Sequence, residues 1–132
     1  AATKAKPIFI KAIKSMTISD VINILMGADD AATQYLKSAT YSTLYSEFNP
    51  VIVNSLNKFN AIEYWAKATN AYNSIPLVKQ VNPRLDDYVT NQALDGLFKM
   101  VANEEKEIRR NPVKRVTELL KKVFAKQDSN RS

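Results

Sequence analysis

The chain has 132 residues and a net charge of +6, with 45% apolar and 24% charged residues, the make-up of one globular domain able to bury its own core. It contains no Cys and no His, which excludes a thiolate nucleophile, a Cys/His zinc site, a Ser-His-Asp triad and a histidine proton shuttle. No run approaches the ~18 apolar residues of a membrane span, and with 2 Gly and no Asn-Gly turn the chain is poorly equipped for hairpins, so strands are not expected.

The opening AATKAKPIFIKAIK lacks the apolar core of a signal peptide, and because it starts on Ala1 the chain is expected to be a piece of a longer one. Its Lys6-Pro7 begins or continues a first helix with the stripe Ile8, Phe9, Ala12, Ile13 and Met16, where Pro7 suits the first turn or a kink. Thr17-Ile-Ser-Asp20 has the spacing of a capping box. It heads a short helix with the stripe Ile18, Val21, Ile22 and Leu25, and Gly27 is expected to end it in the left-handed conformation.

Asp29-Asp30 stands before the next helical run, where one carboxylate can accept free amides and both oppose the helix dipole. Ala32, Tyr35, Leu36 and Ala39 form its inner face, and Thr40 breaks or recaps it. The period continues through Tyr41, Leu44, Tyr45, Phe48, Ile52, Leu56 and Phe59, past Pro50, which kinks the helix or starts a new one capped by Asn49. Asn60 then caps a helix lined by Ile62, Trp65, Thr69 and Tyr72, which Ile75-Pro76 ends. Leu77 to Val81 reads as a connector or a single turn.

Residues 85–108, read as the central helix, recur at helical spacing over more than one face, so it is expected inside the domain. Asn82-Pro83 precedes it as cap and first residue, with Thr90 as an alternative start. Gly96 in its middle costs about 1 kcal/mol against Ala, which implies a second helix crossing closely there. Asn111-Pro112 opens a last helix whose inner face is Val113, Val116, Leu120, Val123 and Phe124, followed by a disordered tail at 127–132. The fold expected is all-α: a single irregular or orthogonal bundle of about six to eight helices over 1–126, arranged around a central buried helix.

Residues 1–108 hold 11 basic and 11 acidic groups, so the positive excess lies in 109–132, on Arg109, Arg110, Lys114, Arg115, Lys121, Lys122, Lys126 and Arg131. That segment is either a solvated face or a surface for nucleic acid, acidic lipid or lipopolysaccharide. The acid pairs Asp29-Asp30 and Asp86-Asp87 read as helix caps, and Glu105 reads as exposed and paired with Arg109 one turn on. Asp95 is either paired with Lys99 at the surface or buried, in which case it marks a ligand site. The tyrosines and Trp65 read first as core residues with a polar end in water. Nothing matches a calcium loop, a phosphate loop or a nucleophile elbow, so no metal, cofactor or catalytic residue is assigned.

Three stretches, MTISDVINILMGADDAATQYLKSAT, IPLVKQVNPRLDDYVTNQALDGLFKMVANEEKEIRRNP and VTELLKKVF, together resemble the bacterial domain of unknown function 4197 family. The resemblance implies an exported protein of Gram-negative bacteria, periplasmic or anchored at the outer membrane through a lipoprotein-type signal, with an additional N-terminal helical region in other members. Apolar surface bared by that difference would favour homo-oligomers. It implies no activity. The family's motifs fall on Asp29, Asp30, Thr33, Tyr35, Tyr88, Thr90, Asp95, Gly96, Glu105 and Arg109.

The expected function is a non-enzymatic binding or protein-interaction module for an unknown protein or small molecule, with Asp30, Tyr35, Tyr88, Asp95, Glu105 and Arg109 facing the ligand. One alternative is an anionic-surface binder using Arg109, Arg110, Lys114, Arg115, Lys121 and Lys122. Another is a hydrolase built from Asp30, Asp95 and Glu105, which requires those acids to converge.

Overall fold

The computed structural model describes residues 2–111, together with positions 125 and 128. Five helices and no strand are found among the described residues: α1 (Ala2–Lys14), α2 (Ile18–Leu25), α3 (Ala31–Asn57), α4 (Ala61–Asn73) and α5 (Leu85–Arg110). The all-α class holds, with five helices among the described residues against the six to eight expected over 1–126. The expected last helix and the tail at 127–132 lie outside the described residues. Within them, no new helix starts at Thr40 or Pro50, because α3 is continuous through both. The Thr40 hydroxyl donates to the Leu36 carbonyl at 2.6 Å and so stays within the helix. Pro50 sits on the exposed side, where the amide bond it cannot make is lost toward water. Asn49 therefore caps nothing, and its amide points across to α5.

The helix packed most extensively against the others is α3, with α5 its main partner. Bonds from Tyr45 to Asp87 near one end and from Thr33 to Glu105 near the other make α3 and α5 antiparallel neighbours. The first helix lies along them: Lys4 meets Glu47 at 3.7 Å, and Phe9 packs edge-on to Phe98 with ring centroids 5.9 Å apart. Leu44, Phe48, Leu94, Phe98 and Ala5 form the buried core, bordered by Ile8, Leu36, Tyr41 and Ile52. Trp65 of α4 packs at a tilt against Tyr88, ring centroids 5.9 Å apart, and donates its indole N–H to the Asn82 carbonyl at 2.8 Å, which holds α4 against the start of α5.

Only one face of α5 is covered. Thr90, Leu94, Phe98, Glu105 and Arg109 are buried, whereas Ala93, Gly96 and Met100 are exposed. The expectation of a fully enclosed α5 is therefore wrong, and so is the helix crossing at Gly96, since a Cβ there would meet nothing within 4 Å. Gly27 also departs from expectation, because no glycine has positive φ. It is required for space: a Cβ would lie 2.9 Å from the Ala31 Cβ and 2.9 Å from the Asn23 carbonyl oxygen.

Candidate functional site

The loop from Met26 to Asp30 joins two helix ends that need partners. At the end of α2 the last carbonyls have spare accepting capacity, Ile24 already taking the Gly27 amide at 3.1 Å, and at the start of α3 the first amides lack helical carbonyls. The last turns of α5 supply both. Glu105 Oε1 accepts from the Thr33 amide and the Thr33 hydroxyl, both at 2.8 Å, and Oε2 accepts from the Ala32 amide at 2.9 Å. Arg109 Nη1 donates to the Leu25 carbonyl at 3.0 Å and Nη2 to the Ile24 carbonyl at 2.6 Å. The two side chains meet at 2.9 Å through Arg109 Nε and Glu105 Oε2, one turn apart on α5. Negative charge thus sits on the positive end of one helix dipole and positive charge on the negative end of another. Glu105 is 8% exposed and Arg109 2%, so water does not compete for these bonds.

This arrangement settles several expected roles. Glu105 does pair with Arg109, but inside the protein and not at its surface. The Asp29-Asp30 pair does not cap α3. Asp30 takes the cap position without a side-chain bond to the backbone and accepts from Gln34 Nε2 at 3.1 Å, while Asp29 receives Arg110, whose Nε lies 3.0 Å away. Capping is done from a distance by Glu105, a residue more than seventy positions along the chain.

Of the expected site residues, Asp30, Glu105 and Arg109 come together around the α2–α3 junction. The others lie elsewhere. Asp95 is 56% exposed and faces Lys37 of α3 at 4.0 Å, not the expected Lys99. It is ten residues from Glu105 on one helix, a separation of about 15 Å, so the three acids of the hydrolase reading do not converge. Tyr35 lines a cleft of about 300 Å³ between α1 and α3, and Tyr88 lies partly exposed against Trp65. Among the cations of the anionic-surface reading, Arg109 is buried and Arg110 is paired with Asp29, while Lys114, Arg115, Lys121 and Lys122 lie outside the described residues.

A second polar cluster was not anticipated. Asp86 and Asp87 were expected to cap α5, but Arg84 holds the cap position and no side chain caps it. Asp87 instead accepts from the Tyr45 hydroxyl, from Asn82 Nδ2 at 2.8 Å and from Asn91 Nδ2 at 3.3 Å. Tyr41 donates to Asn91 Oδ1 at 2.6 Å, and Asn49 Nδ2 lies 3.1 Å from Asp86 Oδ2 and 3.2 Å from the Thr90 hydroxyl. The Tyr45 hydrogen bond, then that of Asn82, holds the Asp87 carboxyl below its ordinary value. The same bond, with some burial, pushes the Tyr45 phenol up to about 12. Burial and then the Asp95 and Asp87 charges raise Tyr41. The signal was present in the chain: Tyr41, Tyr45 and Asn49 recur every four residues, as do Asp87 and Asn91, so antiparallel helices match them rung by rung.

Among the described residues, no buried side-chain nitrogen or oxygen lacks a hydrogen-bond partner, and no group of three acids could hold a metal ion. The unsatisfied part of the surface is apolar. All of Ile18, Val21 and Ile22 on α2 are exposed, Ile18 by 80%, and α2 has no buried residue. Ile10 and Ile13 are exposed on α1.

The fold and its junction define a helical domain whose buried charges join helix ends and which presents bare aliphatic side chains. The chain belongs to the family described as protein of unknown function DUF4197, whose model matches residues 1–125. No curated protein and no solved structure gives a significant match.

Proposed function

We propose that this chain is a non-enzymatic binding module whose contact surface is the aliphatic face of α1 and α2. One observation carries the reading: five of the eight residues of α2 are Ile, Val or Leu, yet none is buried. Each aliphatic side chain left in water forgoes about 1.5–3 kcal/mol, and a contiguous apolar patch at a protein surface marks an interaction site. The buried acids favour binding over chemistry, because Glu105 is already saturated by four donors and Asp87 by three. An exported location goes with this proposal on the strength of the family resemblance, and fractionation of cells that naturally produce the protein tests it.

Replacing Ile18 and Ile22 together by Ser tests the binding surface. Stability should change by no more than about 0.5 kcal/mol, as for surface substitutions in general, while retention on a hydrophobic-interaction column falls. A loss of about 2 kcal/mol or more would mean that these side chains belong to the core and would defeat the proposal.

A further inference from the structure

We infer that the exposed aliphatic side chains of α1 and α2, with the lysines of α1, dock on an anionic lipid bilayer, lying in its headgroup region. The inference rests on the binding-surface reading above and names its partner. Exposed aliphatics follow one another along the chain as Ile10, Ile13, Ile18, Val21, Ile22 and Met26. On α1 they are set among cations. Lys6 and Lys14 stand one turn before and one turn after Ile10, and with Pro7 and Lys11 they line a shallow, mainly apolar cleft of about 560 Å³. The opposite face of α1, with Ala5, Ile8 and Phe9, packs on the core.

Charge selects the occupant. From Lys4 to Ala28 the chain has four lysines and a single acid, Asp20. Asp20 is held in the α2 capping box, where its carboxylate accepts from the Thr17 amide at 3.1 Å. Lys4 faces Glu47, but no described acid pairs with Lys6, Lys11 or Lys14. Aliphatic side chains ringed by long lysines suit an interface where apolar groups sink about 5–10 Å and the ammonium groups reach phosphate. No helix among the described residues is long and apolar enough to cross a membrane, so the helices would lie on the bilayer.

The test is co-sedimentation of the full chain with phosphatidylglycerol vesicles and with phosphatidylcholine vesicles, at low and high salt. Binding is expected to phosphatidylglycerol only, and to weaken as salt screens the lysines. Replacing Lys6, Lys11 and Lys14 by Ser should weaken it by roughly a hundredfold, from about 1 kcal/mol per lysine near an anionic surface. Ile18→Ser with Ile22→Ser should also weaken it, with the far-ultraviolet dichroism unchanged. Lys121→Ser with Lys122→Ser should leave it intact. Equal binding to both lipids, or binding that only the Lys121 and Lys122 variant loses, would overturn the inference. So would a chain that ignores vesicles and forms dimers through Ile18 and Ile22. Those results would leave the binding-surface reading standing, because that reading fails on stability and not on lipid.

Discussion

At the scale of single residues, the hydrogen bond from Tyr45 to Asp87 ties stability to pH at both ends of the range. Asp87 titrates below its ordinary value in the folded protein. Its contribution is therefore present above the ordinary carboxylate value and lost as pH falls through the folded one. Tyr45 is shifted the other way, to about 12. Its contribution is complete below the ordinary tyrosine value of about 10 and is lost as pH rises through the folded value. Tyr45→Phe removes the largest cause of both shifts. Melting temperatures from pH 2 to 12 should show the wild type losing more stability than Tyr45→Phe at each end. Parallel curves would mean that the bond does not differ between the folded and unfolded chains. Matched spacing is the only trace of this partnership in the sequence, because the two residues are 42 positions apart and the α3–α5 register brings them together.

At the scale of elements, the two glycines separate what a sequence reveals from what it hides. Both stand at helical positions or helix ends, and spacing alone suggested conformational freedom for Gly27 and close packing for Gly96. The structure reverses the reasons. Gly27 has ordinary φ but no room, with the Ala31 Cβ and a backbone carbonyl where its own Cβ would stand; Gly96 has room on every side. Gly27→Ala should thus destabilise by roughly 1–3 kcal/mol, since backbone cannot give way cheaply. Gly96→Ala should stabilise by about 1 kcal/mol, the helix propensity difference alone. Urea unfolding of the two variants checks both signs, and a loss at Gly96 would mean that this side of α5 is packed and not open. Elements with strong local signals were legible: the Thr17–Asp20 box forms as spaced, and the helices at 61–73 and 85–110 fall where periodicity put them. The continuity of α3 through Thr40 and Pro50 was not, because tertiary contact along α3 overrides a local propensity of one residue.

For the whole molecule, stability is divided unevenly, and the Glu105–Arg109 pair governs the division. The buried side chains of α3 and α5 face each other, so these helices should open only when the domain unfolds. By contrast α2 buries no residue, and Arg109 of α5 holds two carbonyls at its end. Fold class was readable from periodicity, but this hierarchy was not, since it depends on one carboxylate and one guanidinium reaching across more than seventy residues. Amide hydrogen exchange should show α2 opening at a free energy well below that of Leu94 and Phe98, as a separate local unit. Glu105→Ala leaves Arg109 buried without its carboxylate and frees two amides of α3, so global stability should fall by about 3–5 kcal/mol. If α2 instead exchanges as slowly as the centre of α5, the α1–α2 face must be packed in solution, and its exposure could not serve as a binding surface.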